Sequence, residues 1–189
     1  MLRKIMLLGV TCLTLAGCSL VTVVDANHSQ HGGMTPNNSS YTADDLMFAQ
    51  MMIPHHEQAV LLSEWAKTRA FDPQVRSLAE QIRKAQAPEI TQMTSWLEKA
   101  NQALNHHSTH MTMAGMLSDE ELSEIESLSG KAFDQAFLSA MIEHHESAID
   151  LATDYLDTTS SEVKQLLESI IERQKTEIDQ MKMLLESAN

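Results

Sequence analysis

Met51-Met52-Ile53-Pro54-His55-His56-Glu57-Gln58-Ala59 decides the fold, because it returns as Ala140-Met141-Ile142-Glu143-His144-His145-Glu146-Ser147-Ala148. The two blocks share Met-Ile-x-His-His-Glu-x-Ala, and the likeness spreads outward. Asp45 answers Asp134, Phe48 answers Phe137 and Leu62 answers Leu151; beyond them Val75, Gln86, Glu89, Ile90 and Met93 answer Val163, Gln174, Glu177, Ile178 and Met181. The chain is a tandem duplication whose unit is two elements long, and such repetition constrains the fold before any single motif does.

Around the first block, Phe48, Met52, His55, Ala59, Leu62 and Ala66 recur at helical spacing, so His55 lies on the buried stripe of one helix. Thr42 and Asp45 give that helix a capping box, and it should end near Arg69. Asp72-Pro73 supplies an N-cap and a first-turn proline for a second helix, with a stripe of Val75, Leu78/Ala79, Ile82, Gln86, Glu89, Met93 and Trp96/Leu97. The short turn near Phe71 folds the pair into an antiparallel hairpin. Repeat two carries Phe137, Met141, His144, Ala148, Leu151 and Tyr155 on its first helix. Its second, 161–187, carries Val163, Leu166/Leu167, Ile170, Gln174, Glu177, Met181 and Leu184. Between the repeats, Ser118-Asp-Glu-Glu121 caps a short third helix expected to stop at Gly130. The fold class is all-α: a four-helix bundle of two tandem α-hairpin repeats, 42–102 and 131–188, with a connecting segment, 103–130, that holds a short helix.

Counting along both hairpins from their turns places His55 level with Gln86 and Glu89, and His144 level with Gln174 and Glu177. Stacked face to face, the hairpins bring both sets into one cross-section of the bundle. His56 and His145 sit about 100° round their helices, beside the seam. Burying imidazoles and carboxylates together costs several kcal/mol unless each finds a partner or a cation. Two readings meet that cost. One is a closed His, Glu and Gln network that holds the pseudo-twofold together; the other is a metal site formed by His55, His56, His144, His145, Glu89 and Glu177, with Met52 and Met141 one turn away.

Methionine favours the metal. Of the 13 methionines only Met1 and Met6 lie in the leader. Thioether is a soft donor that persists where a thiolate is oxidised, and with imidazole it selects Cu(I). Ordinary core packing accounts for Met93 and Met181. It does not account for His106, His107, His110, Met111, Met113 and Met116, which lie in a segment without Lys, Arg, Asp or Glu and form a second candidate donor set. Pro54 and Pro88 stand inside helices beside the layer, where repeat two has Glu143 and Thr176; each is expected to kink its helix and make the two halves unequal.

At the start of the chain, Arg3-Lys4 precede an apolar run, Ile5 to Leu15, too short for the roughly 20 residues that span a bilayer. It reads as a signal peptide, 1–17. Ala16-Gly17-Cys18 resembles a bacterial lipoprotein box, which implies lipid on Cys18 and a membrane anchor outside the cytoplasm, on the periplasmic side or at the cell surface. Residues 18–40 read as a flexible tether. Within it, His28, His31 and Met34 form either a loose metal-capture motif or an ordinary polar linker. Cys12 leaves with the signal, so no disulfide is expected. At 189 residues and 43% apolar content the remainder is one domain. A net charge of −13 disfavours nucleic acid as a partner and attracts cations. A ferritin-type di-metal oxidase needs Glu-x-x-His on two helices; the sequence has none, and no other catalytic arrangement appears, so the chain is not expected to be an enzyme.

The paired His-His-Glu blocks resemble the family called domain of unknown function 305. So do Gln-x-x-Glu-Ile-x-Gln-Met in both second helices (Gln86 to Met93, Gln174 to Met181) and Gly115-Met-Leu-Ser-Asp-Glu-Glu-Leu122 leading to Gly130-Lys-Ala-Phe-Asp134. The resemblance covers residues 41 to 187. It implies a ferritin-like four-helix bundle, secreted or lipid-anchored, some of whose members bind copper outside the cytoplasm, and it carries over the histidines and methionines named above; copper is then the expected metal and a copper-handling protein a candidate partner. Repeat one departs by having Met51-Met52 where repeat two has Ala140-Met141.

Overall fold

The computed structural model describes residues 41–104 and 114–187. Five helices follow one another: α1 (Ala43–Arg69), α2 (Pro73–Lys99), α3 (Asp119–Ser127), α4 (Gly130–Tyr155) and α5 (Ser161–Ser187). Their starts are set by local chemistry. Thr42 Oγ1 accepts from Asp45 N–H at 3.1 Å while Thr42 N–H donates to Asp45 Oδ2 at 2.8 Å, and Ser118 and Glu121 repeat the exchange for α3. Asp72 caps α2 through Gln74 N–H at 2.7 Å, with Pro73 in the first turn, where its missing N–H costs nothing.

α1 and α2 form one hairpin, α4 and α5 the other, and the two meet mainly through α1 against α4. The third helix departs from expectation. It ends at Ser127, and Gly130, with φ +67°, opens α4 instead of closing α3. α1 and α2 run unbroken through Pro54 and Pro88. None of the described helices is long and apolar enough to cross a membrane.

The core is in two parts. Phe48, Met52, Ile53, Met93, Trp96, Ala152, Val163, Leu167 and Ile170 fill one end; Leu62, Val75, Ile82, Phe133, Phe137, Leu138, Met141 and Met181 fill the other. The first part takes the start of α1 and the end of α4, and the second takes the reverse, so these two central helices run antiparallel. Between the two apolar clusters lie the His-His blocks.

The repeats also grip each other at their ends. The buried Asp134 carboxylate accepts the backbone N–H groups of Phe71 and Asp72, in the turn of the other hairpin, at 2.9 and 2.8 Å. Its counterpart Asp45 accepts Ser160 N–H, at the turn of repeat two, at 2.8 Å.

Candidate metal centre

The four imidazoles form a row across the bundle. His55 and His144 meet ring to ring at its middle, with centroids 3.6 Å apart and planes inclined by 34°; His56 and His145 flank them at 6.4 and 6.3 Å. The turn of about 100° per residue explains the alternation. It sends His55 and His144 toward the opposite hairpin, and His56 and His145 back into their own.

There each outer histidine finds a glutamate from the second helix. His56 Nε2 lies 3.0 Å from Glu89 Oε2, and His145 Nε2 lies 2.8 Å from Glu177 Oε2. His56 and His145 thus stand to either side of the seam between hairpins, and all four rings are 0% exposed, because a buried acceptor waits for each outer one. The halves are not equal. Glu89 also binds the Arg173 guanidinium, reaching over from α5, whereas the position answering Arg173 in repeat one is Ala85. Glu177 and Arg173 instead border a cleft of about 390 Å³ between α2 and α5.

Burial pulls the pKa of His55 and His144 well below the ordinary imidazole value, and the neighbouring histidines add to the effect. Burial also lowers His56, against the upward pull of Glu89. Neutral rings fit the 3.6 Å contact, since two imidazolium ions would repel at that distance. Nδ1 of all four histidines, Nε2 of His144 and both side-chain amides of Gln86 and Gln174 are buried without a hydrogen-bond partner among the described residues. Buried polar atoms are ordinarily satisfied, so this concentration of unmet donors and acceptors at one level points to a guest.

The donor set fits a soft ion. A neutral imidazole nitrogen with an uncommitted lone pair is a ligand, and four fully buried thioethers belong to the apolar clusters on either side, Met52 and Met93 to one, Met141 and Met181 to the other. Among the described residues no group of three His, Cys, Asp or Glu side chains could hold an ion. Of the second candidate set, Met116 is half-buried and lines one surface groove with Ala140 and Glu143 of α4. His106, His107, His110, Met111 and Met113 lie outside the described residues, as do Cys18 and the tether.

The sequence reading missed these contacts and that of Arg173 with Glu89. Gln58 takes both backbone groups of Leu117, donating to its carbonyl at 2.9 Å and accepting its N–H at 2.8 Å. In repeat two that position is Ser147, whose Oγ lies 2.9 Å from His55 Nε2. Gly115, with φ +77°, packs so closely on Ser147 that a Cβ there would come within 2.3 Å of the hydroxyl oxygen. The only hint was that Gln58 and Ser147 occupy an unmatched position of the shared block. Nothing marked Arg173.

Fold and row together define a class of protein: a duplicated helical bundle with paired imidazoles at its centre. Residues 45–185 match the model of the family called domain of unknown function 305, and the chain belongs to that family. Among solved structures it is similar to a family member from Streptomyces coelicolor described as secreted, with 31% identity and a TM-score of 0.71 over 77% of this chain and 93% of that one. A fragment of a Deinococcus radiodurans member gives 31% and 0.72, over 78% and 98%. CopM in its Cu(I)-bound form gives 29% and 0.65, over 76% and 96%, and CopM has also been solved with Cu(II) and with Ag. A stretch of 56 residues is 39% identical to an uncharacterized protein of Acanthamoeba polyphaga mimivirus, covering 30% of this chain and only 37% of that protein.

Proposed function

We propose that this protein is a lipid-anchored extracytoplasmic copper-binding protein. It takes the ion as cargo, as Cu(I) or Cu(II), through histidine and methionine, for sequestration, tolerance or transfer to a copper-handling partner. One observation carries the reading: four imidazoles in one buried row, each with an unpartnered Nδ1. Within the row His55, His56, His144 and His145 are the imidazole donors and Met52 and Met141 the nearest thioethers in sequence. Glu89 and Glu177 orient the outer rings, as carboxylates do behind metal-binding histidines elsewhere. Copper and silver in CopM support the choice of ion. The lipoprotein box at Cys18 and the secreted relative support the location. His106, His107, His110, Met111, Met113 and Met116 are a second binding segment.

Anaerobic titration of the mature protein with Cu(I), against a competing chelator, tests the proposal. His55→Ala/His144→Ala should weaken binding at least about tenfold, since loss of groups that merely support a ligand already costs that much. Unchanged affinity would transfer binding to the 106–116 segment. A second reading, a metal-free bundle whose polar row fixes the pairing of the repeats, is favoured by the two closed His–Glu pairs and by the lack of a three-residue cage among the described residues. A protein that binds neither copper ion at micromolar concentration leaves that second reading alone. The di-metal oxidase lacks its Glu-x-x-His ligand pattern, and oxygen consumption by an iron-loaded sample would be needed to revive it.

A further inference from the structure

We infer that Ser147 is a positioning residue: it fixes the tautomer of His55 and thereby selects Nδ1 as the nitrogen offered to a guest. Ser147 Oγ lies 2.8 Å from the backbone carbonyl oxygen of His144, and a carbonyl only accepts, so the single hydroxyl proton is committed there. The same oxygen lies 2.9 Å from His55 Nε2, and with its proton spent it can only accept from the ring. Nε2 therefore carries the hydrogen of the neutral imidazole, and the buried, unpartnered Nδ1 keeps its lone pair.

For His56 and His145 the same choice follows from Glu89 and Glu177, because a carboxylate accepts and so draws N–H to Nε2. No carboxylate reaches His55 among the bonds of the described residues, and Ser147 stands in for it across the interface between repeats. His144 has no equivalent. The residue of repeat one that answers Ser147 is Gln58, and its amide is turned to Leu117. Of the two stacked central rings, only that of His55 has a hydroxyl to place its hydrogen.

Gly115 completes the device. A Cβ at 115 would meet Ser147 Oγ at 2.3 Å and Ser147 Cβ at 2.6 Å, so glycine alone lets the backbone press on this side chain. Its φ of +77° independently disfavours any other residue.

Long-range ¹H–¹⁵N correlation spectra of the metal-free protein read the tautomer directly. In the wild type His55 should show protonated Nε2 and bare Nδ1. Ser147→Ala should produce a mixture, and Ser147→Thr, which keeps the hydroxyl, should restore the wild-type pattern. Gly115→Ala, which dislodges the hydroxyl without removing a polar group, should resemble Ser147→Ala. A wild-type His55 protonated at Nδ1, or a tautomer unmoved in Ser147→Ala, would overturn the assignment. The link to binding rests on the copper reading and is tested separately, by Ag(I) titration. Ser147→Ala should weaken Ag(I) about tenfold, the usual cost of losing a group that orients a ligand, and Ser147→Thr should not. A changed tautomer with unchanged Ag(I) affinity overturns the choice of Nδ1 as donor. A wild type that binds no Ag(I) overturns the copper reading while leaving the spectra to decide the tautomer.

Discussion

Below about pH 6.5 the metal-free protein should lose stability steeply, on the order of 4 kcal/mol per pH unit where the slope is greatest. His55, His144 and His56 all titrate below the ordinary value of 6.5 in the folded chain, chiefly because burial disfavours their charged forms. As pH falls through 6.5, the unfolded chain takes up protons that the folded chain refuses. The stability contributed by these groups is thus fully present above 6.5 and is lost as pH drops toward their folded values. Each proton of difference is worth about 1.4 kcal/mol per pH unit, and three groups give the figure above. Carboxylates ordinarily titrate near 4, so the loss between pH 6.5 and 5 belongs to the imidazoles. Against a domain stability of roughly 5–15 kcal/mol, that is enough to bring unfolding within reach by pH 5. Urea unfolding at pH 7.5, 6.5 and 5.5 in the presence of a chelator measures the slope. His55→Leu/His144→Leu, leaving only His56 of the three, should cut it to about one third. An unchanged slope in that variant would mean the central rings are not the groups being kept neutral.

The histidine row shows what was legible in the sequence and what was not. The level of the row could be counted from the turns, because helical rise is fixed and Thr42–Asp45, Asp72–Pro73 and Ser118–Glu121 mark the helix starts by capping chemistry that needs no tertiary context. The partners of the outer rings could not. Periodicity put His55 on the stripe and His56 off it, but a position off the stripe is buried when the neighbouring helix offers an acceptor, and Glu89 does. The end of α3 was misread for a related reason. Only Leu128 and Ser129 separate α3 from α4, so a glycine there can end one helix or begin the next, and its φ of +67° is seen only in the structure. Ser147, Gln58 and Arg173 were invisible because duplication draws the eye to what the repeats share, while these residues act where the repeats differ. The segment holding His106, His107, His110, Met111 and Met113 lies outside the described residues.

Of the shared pair Asp45 and Asp134, only the cap that Asp45 gives α1 was legible beforehand; the clamp each forms across the repeats was not, and it yields the other large effect. Asp134→Ala should destabilise the protein by about 3 kcal/mol, because a 4% exposed carboxylate that accepts two backbone N–H groups is replaced by nothing, and hydrogen bonds to charged groups contribute roughly 1.5–3 kcal/mol each. The estimate is kept near the lower end because the exposed Phe71 side chain marks a turn that water can reach once the carboxylate is gone. In a chain of this size the shift in Tm should be roughly 6–12 °C, at about 2–4 °C per kcal/mol. Asp134→Asn retains one acceptor oxygen and should lose about half as much, which separates the hydrogen-bond count from the mere presence of a side chain. Asp45→Ala removes the bond to Ser160 at the opposite end of the bundle and also opens the Thr42 capping box, worth about 1 kcal/mol alone. The two clamps share no partner, so the losses in Asp45→Ala/Asp134→Ala should add to within about 0.5 kcal/mol. A loss below about 1 kcal/mol in Asp134→Ala would mean that this carboxylate does not hold the hairpins together, since a clamp that matters must exceed the value of an ordinary neutral hydrogen bond.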